Sequence, residues 1–203
     1  MRKKGLLIVI SGPSGAGKGT ICKEWLRRHP QTVLSVSVTT RPPRPGEKDG
    51  INYFFRTPEE FKKMKEENEF LEYAEVYGHH YGTPKKYVQQ HLMAGQDVIL
   101  EIDIQGALQV KDRFEKGVFL FVVPPTMDEL KKRITKRGTE GRDVILKRFH
   151  CAFEEINFIK RYNYIIVNDT VEEAVQKMEA ILLAEKCRVD RNEELILQIQ
   201  GGI

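Results

Sequence analysis

The sequence is poor in cysteine, with three among 203 residues, has a single tryptophan, and leans only slightly to one sign of charge. Cys22, Cys151 and Cys187 are odd in number and far apart, without the paired spacing of a zinc site or a disulfide framework. They read as buried or idle thiols in a reducing compartment. No stretch approaches the roughly 18 apolar residues that a membrane helix needs. "GLLIVI", behind Met1-Arg2-Lys3-Lys4, imitates the opening of a secretory signal, but it is short and continues into a glycine-rich stretch with no cleavage site. With 33 basic against 29 acidic residues the formal charge is +4, which suits a small anionic ligand better than a long polyanion and gives no motive for nucleic acid. Internal repeats and low-complexity tracts are lacking too. What remains is a chain with 40% hydrophobic and 31% charged residues, enough to bury a core as one α/β domain over residues 1–203, expected in the cytoplasm and off the membrane.

Continuous apolar runs bounded by turn residues occur at Leu6–Ile10, Val98–Ile102, Val118–Val123 and Tyr164–Val167, the pattern of strands covered on both faces of a parallel sheet. Helical spacing fills the gaps, over Thr20–Arg28 and Val171–Cys187. Together they predict a doubly wound parallel sheet with core segments 1–34, 95–127 and 150–190. Two stretches break the alternation. From about 35 to 90, short β-like runs, the turn "RPPRPGEKDG", a helix starting near Pro58 and the aromatic "YAEVYGHHYGT" predict a small mixed, β-rich lobe. From about 128 to 149, two helical pieces around Gly138-Thr139-Glu140-Gly141 predict an Arg-rich helical lid. The tail "RVDRNEELILQIQGGI" is left either to extend the last helix or to meet a second subunit, so monomer and homo-oligomer both stay open.

The chemistry is densest in "ISGPSGAGKGT". Gly12-Pro13-Ser14-Gly15-Ala16-Gly17-Lys18 follows a buried strand and opens an amphipathic helix, the context of a phosphate-binding loop. Its backbone N–H groups can converge on phosphate oxygens, and Lys18 adds a charge. Gly19 falls where such loops usually carry a magnesium-ligating hydroxyl, so a metal would rely on phosphates, water, Thr20 or an acid from elsewhere. Arg41 and Arg44, three apart among prolines, with Tyr53 downstream, suit a second phosphate, because Arg binds phosphate bidentately and Tyr donates a short hydrogen bond. In "VILEIDIQGAL", Glu101 and Asp103 end a buried strand on one face, at the sheet edge where ligands bind, and Gly106 allows close backbone approach. Arg133 and Arg137 share a helical face and Arg148 follows on the next helix, cations that could offset phosphoryl charge. His79 and His80 point to opposite faces of a strand-like run, which argues against a shared metal.

Taken in order, "SGPSGAGKGT", "TTRPPRPGE", "YFF", "FLEYAEVYGHHYGT", "VILEIDIQGA", "VFLFVVPP", "KRGTE" and "YIIVND" resemble the guanylate kinase family over nearly the whole chain. The resemblance implies transfer of the γ-phosphoryl group of ATP to GMP with Mg²⁺, and leaves dGMP open as an acceptor. It implies that residues Gly12 to Thr20, with Arg133, Arg137, Asn168 and Asp169, hold ATP. Ser37, Glu72, Thr83 and Asp103 would hold guanine, and Arg41, Arg44, Tyr53 and Tyr81 its phosphate. Lys18, Arg44, Arg137 and Arg148 would act in catalysis, with Glu101 near the metal, through water. Chemistry supports the guanine assignment: one carboxylate such as Glu72 can accept from N1–H and the N2 amino group together, while Ser37 can donate to O6. The alternatives are another nucleoside monophosphate kinase, or a non-catalytic module of the same fold that binds phosphorylated protein.

Overall fold

The computed structural model describes residues 4–76, 78–136 and 142–201, the side chains of 136 and 142–148 excepted. The elements run β1 (Leu7–Ser11), α1 (Lys18–Arg28), β2 (Val33–Leu34), β3 (Val38–Thr39), β4 (Phe54–Phe55), α2 (Pro58–Glu66), β5 (Phe70–Val76), β6 (His79–Pro84) and α3 (Lys85–Met93). There follow β7 (Val98–Glu101), α4 (Ile104–Arg113), β8 (Val118–Val123), α5 (Met127–Lys136), α6 (Arg142–Ile156), β9 (Tyr164–Val167), α7 (Val171–Cys187) and α8 (Glu193–Gly201).

Five parallel strands form the main sheet in the order β2-β7-β1-β8-β9. Alternate residues of β1 face opposite sides. Ile8 and Ile10 pack with Ile21 and Trp25 of α1 and Val175 and Met178 of α7, while Leu7 and Val9 meet Val88 of α3 and Ala107 and Val110 of α4. Burial on both faces explains the uninterrupted apolar runs, and each covered aliphatic side chain contributes about 1.5–3 kcal/mol. Because the strand order reverses at central β1, its C-terminal end opens into the crevice between flanking connections, where ligands of such sheets bind.

The second sheet, β4-β3-β6-β5, is antiparallel apart from the β3·β4 pair. It has its own small core of Val38, Phe61 and Phe70, with the Phe61 and Phe70 rings stacked at 4.6 Å. Helix α2 starts cleanly: the Thr57 hydroxyl accepts from Glu60 N, the Glu60 carboxylate accepts from Thr57 N, and Pro58 takes the first turn. Helix α3 falls with the main sheet, since Val88 is buried against it.

The tail does not extend α7. Arg188 turns to extended backbone (φ −59°, ψ 139°), a short 3-10 turn follows over Val189–Arg191, and α8 is a separate helix. Buried Glu185 enforces the break, accepting from Arg191 Nε and Nη2 at 3.0 and 2.7 Å and from the Tyr164 hydroxyl at 2.5 Å.

Candidate active site

The loop between β1 and α1 crosses the C-terminal edge of the main sheet. Gly17, the N-cap of α1, has φ 92°, a conformation glycine adopts without strain. A β-carbon there would also lie 2.3 Å from the Asn168 amide. No side chain caps α1, so its first-turn N–H groups, aided by the helix dipole, are the anion-binding kind. Lys18 Nζ arches back to donate to the carbonyls of Gly12 at 2.6 Å and Pro13 at 3.2 Å. Burial lowers its pKa, while Glu101 and then Glu155 work against that shift.

Asn168 was expected at the nucleotide's edge. It is buried at 4% exposure with Nδ2 donating to Ala16 O at 2.7 Å, and there it buttresses the phosphate loop from behind. Asp169 beside it is exposed. Arg133 joins this side, donating to Asn168 O at 3.1 Å and to Glu129 at 2.8 Å. The side chains of Arg137 and Arg148 lie outside the described residues.

Across the crevice, β5 and β6 bring Glu72 and Thr83 opposite each other, with the Thr83 hydroxyl donating to Glu72 Oε1 at 2.5 Å. The register shifts between Phe70 and Glu72, an irregularity that re-aims the strand and leaves Phe70, Leu71 and Glu72 all buried. Helix α4 fixes β5: the Gln109 amide bonds Tyr73 N and O, and Arg113 donates to Leu71 O at 2.6 Å. Only 3% of Glu72 is exposed, and burial lifts its pKa to about 7, with the Thr83 hydroxyl opposing and Asp103 adding to the shift. The carboxylate rests on Gly106, where a β-carbon would sit 2.3 Å from Oε2.

Arg41 is also buried. Its Nη2 bonds both carboxylate oxygens of Glu47 at 2.9 Å and its guanidinium lies 5.4 Å from the Tyr53 ring centroid. Tyr53 meets Tyr81 edge-on at 5.9 Å. Arg44 is exposed and its backbone N–H donates to Glu47 at 2.7 Å, so one carboxylate organises the whole turn. Ser37 is half-buried one residue before β3, its carbonyl accepting from Phe54 N.

The two halves meet at the end of β7. Asp103 caps α4 by accepting from Gly106 N at 2.8 Å, and its charge is felt by Glu72 on one side and Lys18 on the other. Glu101 comes within 3.3 Å of where a β-carbon of residue 19 would stand, and its carboxylate accepts from the Cys22 thiol. An acid therefore adjoins the position where the loop lacks its hydroxyl. His79 is half-buried and His80 exposed against Phe61, and among the described residues no cluster of three or more His, Cys, Asp or Glu forms a metal-binding group.

Sequence reasoning missed Glu47, Gln109, Arg113 and Glu155. Glu47 was the most visible, an acid three residues after Arg44 in the same turn. The others act from helices whose sequence shows only ordinary amphipathic spacing.

The guanylate kinase family model matches residues 4–185. A guanylate kinase of Caldanaerobacter subterraneus subsp. tengcongensis is 60% identical over 200 residues, covering 98% of this chain and 97% of that protein. One from Clostridium perfringens is 60% identical over 195 residues, covering 96% and 90%. The crystal structure of guanylate kinase from Anaplasma phagocytophilum superposes with a TM-score of 0.82 at 32% identity, covering 100% of this chain and 98% of that one.

Proposed function

The chain belongs to the guanylate kinase family and transfers the γ-phosphoryl group of ATP to GMP, giving ADP and GDP, and on that premise we propose how its residues divide the work. The amides of Gly12 to Thr20 and the Lys18 ammonium take the donor phosphates, with Arg133 behind them and Asp169 at the adenine edge. Arg41, Arg44, Tyr53 and Tyr81 take the acceptor phosphate. Glu72 accepts from guanine N1–H and the N2 amino group, Ser37 donates to O6, and Thr83 and Asp103 complete the base site.

The acceptor phosphate is itself the nucleophile. Its second pKa lies near 6, so it arrives ionised and needs no general base. Phosphoryl transfer then asks for alignment and for cations around the migrating group. Lys18, Arg44, Arg137 and Arg148 supply them in this reading, and Arg133 holds the donor side through Asn168. The carboxylate of Glu101 beside Gly19 fits a hydrated Mg²⁺, reached through water, and that ion would supply further neutralisation of the donor phosphates. The protein works in the cytoplasm in this proposal, which agrees with free thiols and with the lack, among the described residues, of any helix long and apolar enough to cross a membrane.

The observation that supports the assignment is the seat on Gly106, where a β-carbon would stand 2.3 Å from Glu72 Oε2 and 3.4 Å from Asp103 Oδ1, just after β7, the strand that pairs with the one leading into the phosphate loop. A coupled assay of ADP release with each nucleoside monophosphate tests it. Turnover with GMP and not with AMP, CMP or UMP supports the reading, and equal use of all four refutes the base-site assignment.

A further inference from the structure

Strand β5 lies at the outer edge of the lobe's sheet, in the order β4-β3-β6-β5, so only β6 pairs with it and the backbone groups on its other side need partners from elsewhere. Helix α4 supplies them. Gln109 acts as a neighbouring strand would: its Oε1 accepts from Tyr73 N at 3.3 Å and its Nε2 donates to Tyr73 O at 2.6 Å, one side-chain amide standing in for a peptide unit. Arg113, one helical turn on, donates from Nη1 to Leu71 O at 2.6 Å. Residues 71 and 73 are two apart, so their backbone groups turn to the same edge, and they straddle Glu72. The pairing of β5 with β6 is irregular between Phe70 and Glu72, where a strand edge is least able to hold its own register. A slip of one residue there would turn the Glu72 carboxylate away from Thr83 and from its seat beside Gly106, which lies on the same face of α4 as Gln109 and Arg113.

We propose that Gln109 and Arg113 are positioning residues for the acceptor base: by gripping the backbone before and after Glu72 they fix where its two carboxylate oxygens stand, and with that the preference for a purine carrying both an N1–H and an N2 amino group. This rests on the reading of Glu72 as the carboxylate that meets guanine. Two donors set side by side need two oxygens at set positions, since hydrogen bonds weaken steeply as their angles close. The Thr83 hydroxyl holds Oε1 at 2.5 Å and the seat at Gly106 confines Oε2, so neither oxygen can swing to make up for a displaced backbone. The two residues differ in one respect. Arg113 also brings a positive charge that favours the ionised Glu72, whereas Gln109 is neutral and acts through geometry alone. Both project from a helix packed on the main sheet, so the core, and not the lobe's own packing, sets the aim of the carboxylate.

The test compares GMP with IMP, which keeps N1–H and O6 but lacks the N2 amino group, in equilibrium binding to the full chain. Affinity for a non-hydrolysable ATP analogue and thermal stability are measured on the same samples. The parent should bind GMP more than about tenfold more tightly than IMP, because IMP leaves one carboxylate oxygen unpaired. Gln109→Met, similar in length but without the two bonds, should weaken GMP roughly tenfold and IMP by no more than about threefold, so that the preference narrows while analogue affinity holds. Arg113→Met should narrow it likewise, and Arg113→Lys, which keeps a donor for Leu71 O, should restore most of it. GMP affinity within about twofold of the parent in a folded Gln109→Met overturns the proposal. So do equal losses for GMP and IMP, which place the effect on phosphate or ribose, and equal losses for GMP and the ATP analogue, which mark a general fold contact. Should Gln109→Met fail to fold, the Arg113 pair decides by the same criteria. A parent protein that binds IMP as tightly as GMP refutes instead the reading of Glu72 on which the proposal stands.

Discussion

In the proposed assignment the donor side and the acceptor side recognise the same chemical group, a phosphate, by opposite means. The loop after β1 uses backbone amides and one lysine, set on a five-stranded sheet whose central strand is fully covered. The acceptor lobe uses side chains on two-residue strands and on the turn that Glu47 pins. A backbone receptor cannot be tuned residue by residue and reads no base, so it suits the invariant triphosphate. Side chains carry identity, so on this reading selectivity for the acceptor would reside in the lobe, at the cost of a site assembled from distant parts of the chain.

The contrast predicts that base choice has the largest effect. AMP sets an unprotonated N1 against Glu72 and an amino group against Ser37, leaving buried groups unpaired, so kcat/KM should favour GMP over AMP by roughly 10⁴. Steady-state kinetics with both acceptors measures the ratio, and a ratio near one would erase the distinction between the two halves. Next comes the loop: Lys18→Ala should lower turnover by roughly 10³ with the fold retained, the scale of a lost phosphoryl-contacting cation. Circular dichroism alongside single-turnover rates separates chemistry from unfolding.

Gly106→Ala should strike the acceptor side alone. Its β-carbon, 2.3 Å from Glu72 Oε2, must push the carboxylate off its seat. Overpacking of this kind costs about 1–3 kcal/mol, so GMP should bind roughly tenfold or more weakly while ATP affinity holds. Equal losses for both nucleotides would point to a collapse of α4 instead.

The smallest effect is a pH dependence. Burial pushes the Glu72 carboxyl up to about 7 from an ordinary 4.5, while the proposed contact with guanine requires its ionised form. GMP affinity should therefore rise with pH, by up to tenfold per unit below about 7, and level off above it. Calorimetry on Glu72→Gln should show only the residual dependence of the phosphate itself. Stability runs the other way. A folded pKa raised above the unfolded one stabilises the fold in full below about 4.5 and loses that contribution as pH rises to about 7. Glu72→Gln should accordingly gain melting temperature relative to the parent across that window.

The same contrast governs what could be read from the sequence. The loop was legible because Gly17 and Lys18 encode a local backbone shape, and the nearness of Arg41 to Tyr53 because they lie close along the chain. The bulge that buries Glu72, and its seat on Gly106, join segments of the lobe and the core that no short pattern connects. The end of β9 at Asn168 is marked by composition, whereas the inward turn of its amide toward Ala16 is set by packing that no local pattern shows. The α7 boundary followed the same logic: "EELILQIQ" has helical composition, and only the Glu185 contacts with Arg191 and Tyr164 reveal that the chain turns first. Gly106 was read as a point of close approach, and the group that approaches it is the Glu72 carboxylate rather than a ligand alone.

The Arg41–Glu47 pair gives the acceptor site an unusual economy of ions. The guanidinium is already neutralised by Glu47, so if Arg41 takes the acceptor phosphate as proposed, that phosphate replaces one anion with another instead of adding a new pair. Stray inorganic phosphate or sulfate gains little from that exchange, because it brings no base to offset the displaced carboxylate. For GMP bound as proposed the net charge change at Arg41 would be small, and binding there would depend less on ionic strength than at a bare arginine cluster. In that assignment the pair would turn a general anion receptor into an ion exchanger that selects for whatever is attached to the anion.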